Sequence, residues 1–388
     1  MKKFVASVIF LLTLVSLLGA CSMGKKEQEI VIGMPMPKAG SGAYIGMPTC
    51  LFAEDYFEKI NEAGGLFGSK FKVISYDISA DTAVEAVNMT NRLISQDKAF
   101  AIIGSTGSAA SIPMADIVTN AKVPMVVPTA TNEKVTVKED GTLNPYTFRV
   151  CFIDNYQGQA AANYAYVNLG YRRVGMFDEV GEPYSQGICD YFEEEFVRLG
   201  GTITTRITVP QNEVEFRPQL TAMAETGIDA IFCPADSYVR ASRMINQAKD
   251  LGIDAPFIMA DANYDNALLE ECGANANGIL LTNGLYAEDP QFKSFQDEFK
   301  QKYPEWEANM YVLYTYDCAE LLVWAIKEAG SFDKEKVRDA LENAKNVKLF
   351  TDPDFNMDPA THNPLNKTVA IIGVENEQFT LIDTFRPQ

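Results

Sequence analysis

The stretch "AFAIIGSTGSAASIP" (99–113) contains the local pattern that decides the fold. Its apolar half stops at Gly104, passes through a turn of Ser, Thr and Gly, and then starts a helical pattern. A turn of this kind, placed before a helix, offers backbone N–H groups and hydroxyls to an anion. The stretch predicts a strand, an anion-binding turn and a helix. Taken alone, it leaves open whether the anion is a nucleotide phosphate or another group.

The same alternation continues in both directions along the chain. On the N-terminal side, "EIVIGMPMP" (29–37) and "FKVISYDI" (71–78) read as strands, and a helix is predicted over 48–63. The alternation of strands and helices begins again after "NPYTFRVCF" (144–152), with helices predicted over about 155–169, 184–200, 216–226 and 238–251. Residues 290–345 read as mostly helical, and "KTVAIIGV" and "QFTLIDTF" as a two-strand return. Strand–helix–strand alternation is typical of parallel sheets covered on both faces, so two α/β domains are predicted.

The composition of the chain indicates a folded protein and argues against one class of partner. The chain has 388 residues, of which 47% are hydrophobic, enough to form sizeable cores in two domains. The formal net charge is −19. No basic stripe exists to neutralise phosphates, which argues against a nucleic-acid partner.

The N-terminus carries a targeting signal. Lys2 and Lys3 precede the uncharged apolar run "FVASVIFLLTLVSLLGA", which ends in "LLGAC" at Cys21. One interpretation is an ordinary secretory signal followed by a coincidental cysteine. The sharper interpretation is a resemblance to a bacterial lipoprotein signal, which implies a signal peptide over 1–20 and a lipid attached to Cys21. Residues 21–28 would then be a polar tether to the cell membrane.

Enzyme chemistry finds little support in the sequence. Neither a G-x-G-x-x-G after "AIIG" nor a G-x-x-x-x-G-K-[ST] occurs, so nucleotide-dependent catalysis is not predicted. The single histidine, His362, is interpreted as a surface loop residue and cannot supply a two-histidine metal site. We predict no catalytic residues, no cofactor and no metal. Six further cysteines follow Cys21 and show no zinc-ligand spacing. The sequence does not decide whether any two of them form a disulfide. They are Cys50, Cys151, Cys189, Cys233, Cys272 and Cys318.

Several stretches together resemble one family. They are "IVIGMPMPKAGSGAYIG", "EDYFEKINEAGG", "AFAIIGSTGSAASIP", "VPMVVPTATN", "GEPYSQG" and "INQAKDLGI". In this order and spacing they are similar to the leucine/isoleucine/valine-binding type of periplasmic-binding-protein-like receptors, which serve ABC importers. The resemblance implies two doubly wound α/β lobes joined by three crossovers, with ligand in the cleft between them. Lobe one would comprise 27–148 and 285–345, and lobe two 149–284 and 346–388.

The resemblance also implies ligand-binding residues in lobe one. Ser108 matches a serine that binds the α-carboxylate of the ligand, and its alternative role is to cap the helix that it opens. Thr129 and Thr131, in "PTATN" (128–132), match positions that offer backbone and hydroxyl groups. Their alternative is a polar turn that bonds its own backbone. Tyr44 would reach across the mouth of the cleft, or else lie in an exposed loop.

Four more ligand-binding residues are expected from lobe two. Tyr184 would pack on the ligand as a wall of the cleft. Ser237 stands where branched-chain binders often carry an aromatic residue, which leaves the preferred ligand side chain open. Asp236, beside it, binds or caps the helix at 238. Asp261 stands where the family often has a glutamate that pairs with the α-ammonium, and its alternative is the cap of a helix near Tyr264.

The sequence therefore predicts a monomeric, lipid-anchored receptor outside the cytoplasm that is not an enzyme. Its partners would be an amino-acid ligand, the permease subunits of an ABC importer and the membrane. The alternative is a sensory receptor domain of the same fold for an amide, a polyamine or a nucleoside, working with a signalling partner.

Overall fold

A computed structural model of the chain describes residues 29–79 and 83–386. The predicted signal peptide, Cys21 and the tether lie outside the described residues. Among the described helices, none combines the length and the apolar character that crossing a bilayer requires.

The N-terminal strands form a five-stranded sheet in the order β2-β1-β3-β4-β5, and every pairing in it is parallel. α-Helices connect the first four strands along the chain and cover the sheet, whereas β4 and β5 are joined by a long loop with one 3-10 turn at Glu133–Val135. The elements of this part are β1 (Glu29–Met36), α1 (Ala43–Glu62), β2 (Lys70–Asp77), α2 (Ala83–Ser95), β3 (Ala101–Ile103), α3 (Ser108–Ala121), β4 (Met125–Val127) and β5 (Thr147–Arg149).

A second sheet has seven strands in the order β12-β11-β10-β9-β8-β6-β7. The strands from β6 to β10 pair in parallel, and the two C-terminal strands add an antiparallel hairpin at the β10 edge. The predicted two-strand return is thus confirmed. The elements here are α4 (Asp154–Asn163), β6 (Arg173–Glu179), α5 (Pro183–Arg198), β7 (Thr202–Val209), α6 (Arg217–Ala224), β8 (Ala230–Phe232), α7 (Tyr238–Asp250), β9 (Phe257–Met259), α8 (Asn266–Cys272), β10 (Leu280–Asn283), β11 (Val369–Glu375) and β12 (Gln378–Phe385).

Three further helices follow β10: α9 (Lys293–Lys302), α10 (Met310–Ala329) and α11 (Lys334–Glu342). The first turn of α10 contributes Tyr311 and Leu313 to the core of the second sheet. Farther along the same helix, Leu322 and Ile326 are buried in the core of the first sheet. Helix α10 therefore spans both lobes rather than belonging to one of them.

Helix α1 begins at Ala43, five residues before the predicted start at 48. Pro48 lies inside the helix and has no N–H for the carbonyl of Tyr44 four residues earlier. The Nδ2 of Asn309 donates to that carbonyl over 3.1 Å instead. A side chain from the start of α10 thus replaces the missing helical bond and ties the two helices together at the cleft.

The expectation for His362 was wrong, and the structure answers the open question of a disulfide. His362 is fully buried, not a surface residue: its ring stacks on Phe148 at 4.2 Å, and its Nδ1 lies 3.0 Å from the carbonyl of Thr147. The loop around His362 packs against lobe one, although its polar composition indicates an exposed loop. The six cysteines after Cys21 are all buried as free thiols, so no disulfide among them is present.

Candidate functional site

A cavity of about 200 Å³ lies between the lobes. It is lined by the turns that follow the carboxyl ends of strands in both sheets, which is where open α/β sheets bind their ligands. Two wider cavities of about 820 Å³ each lie elsewhere, one beside α8 and α9 and the other between α1 and α9. Neither of these two cavities is lined by strand ends from both sheets. We therefore take the smaller cavity, here called the cleft cavity, as the candidate site.

Ser108 and Thr129 form the lobe-one wall of the cleft cavity. Helix α3 starts at Ser108, as predicted, but its N-cap is Gly107, so the alternative role of Ser108 as the helix cap is excluded. The Oγ of Ser108 instead accepts from the backbone N–H of Asn132 over 3.2 Å. The first-turn N–H groups of α3 have no partner within the helix and favour an anion.

Thr131 does not line the cavity. Its side chain is fully buried, and its carbonyl accepts from the backbone N–H of Asp154 over 3.1 Å. The buried guanidinium of Arg149 stabilises the turn at 129–132. It donates to the carbonyls of Ala130 and Asn132 over 2.9 and 2.8 Å. Thr131 thus shapes the turn that presents Thr129.

Asp261 is the most distinctive group of the lobe-two wall. It is 4% exposed. Its Oδ1 accepts from the hydroxyl of Tyr184 and from Nε2 of Gln157, both over 2.8 Å. Burial raises the pKa of Asp261 to about 6, because the charged carboxylate is taken out of water. No lysine or arginine of the described chain forms an ion pair with it, so the site holds a buried carboxylate that has hydrogen bonds but no cation.

The capping alternative for Asp261 is also excluded by the structure. Asp261 opens a short 3-10 turn, and the helix that follows, α8, is capped by Asp265, whose Oδ1 accepts from the N–H of Ala267 over 2.7 Å. On the neighbouring turn, the hydroxyl of Ser237 caps α7 by accepting from Val239 over 3.2 Å. The expected capping by Asp236 is therefore wrong. Asp236 is exposed in the cleft cavity.

Aromatic rings close the cavity on a third side. Tyr44, on the first turn of α1, makes edge contacts with Tyr238 at 5.2 Å and with Tyr311 at 6.2 Å. Tyr238 belongs to the second sheet's helix α7, so this contact joins the two lobes. Burial raises the pKa values of Tyr44 and Tyr311, which keeps both hydroxyls protonated.

A second contact joins the lobes on the opposite flank. The Nδ2 of Asn132, from lobe one, donates to the carbonyl of Pro183 over 2.9 Å and to Oδ2 of Asp154 over 3.0 Å. The lobes thus touch on both sides of the cavity. A ligand in the cavity would therefore lie between two contacts that join the lobes.

Of the eight ligand-binding residues expected from sequence, the structure brings seven to the cleft cavity and leaves Thr131 behind its wall. Sequence reasoning missed three residues of the site: Gln157, Tyr311 and Arg240. Gln157 and Tyr311 lie on the first turns of helices, and Tyr311 stands in a segment whose apolar pattern indicates only core. Among the described residues, no cluster of His, Cys, Asp and Glu could hold a metal ion.

Comparison with known proteins gives a consistent result. A family model described as periplasmic binding protein matches residues 29–378. The Leu/Ile/Val-binding protein homolog 1 of Brucella suis is 27% identical over 321 residues, which cover 82% of this chain and 84% of that protein. Two crystal structures share the fold with a TM-score of 0.82 each. The leucine-binding protein LivK of Thermotoga maritima is 29% identical and covers 92% of this chain and 99% of its own. The branched-chain amino acid transporter substrate-binding protein LivJ of Streptococcus pneumoniae, in complex with isoleucine, is 28% identical and covers 93% and 100%.

Proposed function

The chain belongs to the periplasmic binding protein family, and on this premise we propose that it is an extracytoplasmic receptor that binds an amino acid in the cleft cavity and delivers it to an ABC importer. The resemblance drawn from sequence is thereby confirmed. The relatives that bind leucine, isoleucine and valine support an amino-acid ligand. The observation that carries the proposal is Asp261, a buried carboxylate without a cation in a cavity that also holds a helix N-terminus.

The head group of an amino acid matches both features. Its α-carboxylate accepts from the first-turn N–H groups of α3 and from the hydroxyl of Ser108. Thr129, whose hydroxyl donates to the carbonyl of Thr106 over 3.1 Å, lines the cavity beside them. Its α-ammonium pairs with Asp261, whose orientation Tyr184 and Gln157 fix by hydrogen bonds. The two charges of the ligand thus meet opposite lobes, so the ligand binds the closed form more tightly than an open one. That difference in affinity would drive closure.

A ligand screen tests the proposal. The purified protein is heated with single amino acids, amides, polyamines, sugars and nucleotides, and the shift in Tm is measured. We expect at least one amino acid to raise Tm, because a ligand that binds only the folded state stabilises it by mass action. Stabilisation by a sugar or a nucleotide together with no response to any amino acid would refute the proposed function.

Affinity should also depend on pH in a direction set by Asp261. Its pKa in the unliganded protein is about 6, and the bound ammonium favours the charged carboxylate. Below that pKa, binding must first remove the proton. We expect Kd to be constant between about pH 7 and 8 and to rise by about tenfold for each pH unit well below 6. Calorimetry at a series of pH values measures this, and an affinity that improves on acidification would contradict the assignment.

The anchor is a separate part of the proposal. Attachment of lipid to Cys21 after removal of residues 1–20 would hold the receptor, as a monomer, at the cell membrane. Two lysines at the N-terminus and the apolar run that ends at Cys21 support it. In cells fed a labelled fatty acid, the parent protein should become labelled and Cys21→Ser should not, and equal labelling of that variant would argue against the anchor.

A further inference from the structure

An ion pair forms part of the lobe-two wall of the cleft cavity. Glu179, the last residue of β6, is 3% exposed at its side chain, and Arg240, in the first turn of α7, is 15% exposed and lines the cavity. The Nε of Arg240 donates to Oε1 of Glu179 over 2.9 Å, and its Nη2 donates to Oε2 over 2.6 Å. Two parallel bonds of this kind fix the plane of the guanidinium.

The guanidinium keeps donors for a ligand. It carries five N–H groups. Two of them bind Glu179, and Nη1 uses a third to donate to the carbonyl of Gln211 over 2.8 Å. Within the ranges 29–79 and 83–386, the two remaining N–H groups of Arg240 have no acceptor. A donor that loses water without gaining an acceptor costs free energy, so a ligand that places an oxygen here is favoured.

An aliphatic ligand side chain finds little matching surface in the cavity. Among the residues that the structure describes, the aliphatic lining consists of Pro37, Ile45 and Ala262, and the aromatic lining is entirely tyrosine. A leucine or valine side chain would displace water from Arg240 without replacing its hydrogen bonds. That exchange is unfavourable.

An acidic ligand side chain is also poorly matched. Glu179 already neutralises Arg240, and the carboxylate of Asp236 lines the same cavity. The N–H of Asp236 donates to Oε1 of Glu179 over 3.0 Å, so both acidic residues lie next to the guanidinium. A ligand carboxylate would meet two like charges there.

We propose that Arg240, fixed by Glu179, binds a neutral oxygen on the side chain of the ligand, so that the receptor prefers amino acids with an amide or hydroxyl side chain over branched aliphatic ones. This inference rests on the proposed function, since it assumes that the head group lies against Ser108 and Asp261. It assigns Arg240 to specificity and Glu179 to positioning.

Matched pairs of free amino acids test the preference by calorimetry on the unmodified protein. Asparagine and leucine branch at the same carbon, as do threonine and valine, so each pair exchanges polar atoms for methyl groups at nearly constant shape. We expect the polar member of at least one pair to bind about 100-fold more tightly than its partner, and aspartate to bind more weakly than asparagine. Leucine or valine binding as tightly as the polar members would overturn the inference and leave the proposed function intact. Absence of binding by every amino acid would overturn both.

A double variant tests the residues. Glu179→Gln with Arg240→Met removes the ion pair without leaving a buried carboxylate unpaired, and the new amide can still accept from the N–H of Asp236. We expect the ratio of the Kd values of leucine and asparagine to fall by at least about tenfold. Arg243→Met, at an exposed position of the same helix, is the matched control and should leave the ratio unchanged. An unchanged ratio in the double variant would remove Arg240 from the site, and if that variant does not fold, the matched pairs on the unmodified protein decide.

Discussion

Asp261→Asn is expected to weaken amino-acid binding by on the order of 100-fold, about 3 kcal/mol. The substitution keeps the shape of the side chain and an oxygen that accepts from Tyr184 and Gln157. It removes only the negative charge that would pair with the α-ammonium. Calorimetry with the amino acid that binds best measures the loss.

The same substitution should not lower the stability of the unliganded protein, although it lowers the affinity. The pKa of Asp261 in the folded protein, about 6, lies above that of a carboxyl group in an unfolded chain. The folded state therefore holds the proton more tightly, and its stability falls as pH rises through that range. At pH 7 the charged carboxylate costs stability, so the variant should have a Tm no lower than that of the parent. Lower affinity without lower Tm would separate a binding role from a structural one.

Asp317→Asn is the matched control. Asp317 is also fully buried, and burial raises its pKa to about 6, but it lies in α10 away from the cleft cavity and binds the backbone N–H of Thr351 over 2.9 Å. Its replacement should leave Kd within about threefold of the parent value. Equal losses of affinity in both variants would show that any buried carboxylate of the protein matters, and would remove the special role of Asp261.

Arg149→Met is expected to destabilise the protein by about 3 kcal/mol. The guanidinium is fully buried and donates to two carbonyls and to the hydroxyl of Thr136. A methionine leaves these acceptors without partners in a place that water does not reach. Affinity should fall as well, because the same carbonyls belong to the turn that presents Thr129. Urea unfolding of parent and variant measures the change in free energy.

Arg173→Met provides the comparison for burial. Arg173 also donates to two backbone carbonyls, those of Gly227 and Thr226 over 2.9 and 2.5 Å, but it lies on the surface. Water can replace these bonds, so we expect a loss below about 1 kcal/mol. A loss as large as that of Arg149→Met would contradict the account in which burial makes Arg149 important.

The fold could be predicted from sequence because its elements follow short-range patterns. The apolar run before Gly104 and the helical pattern after it correctly predicted β3 and the first residue of α3. Residues in the turns that follow strands, such as Thr129 and Asp261, and Ser108 at the start of the next helix, could be placed at one edge because parallel strands end together. The helix caps were less predictable, since Gly107 and Ser237, rather than Ser108 and Asp236, adopt the extended cap geometry.

The rest of the site depends on packing between distant segments. Gln157 reaches Asp261 across 104 positions of the chain, and the helix that carries Tyr311 spans both lobes. No local pattern marks such contacts. His362 illustrates the same limit: its polar loop indicates exposure, whereas its ring stacks on Phe148 inside lobe one.

The central claim is that the cleft cavity recognises both charges of an amino-acid head group. Calorimetry with the best-binding amino acid, its deaminated carboxylic acid and its decarboxylated amine tests that claim most directly, because each analogue lacks one charge and keeps the side chain. We expect the amino acid to bind and each analogue to lose on the order of 100-fold or more in affinity. An analogue that binds within about threefold of the amino acid would contradict the account.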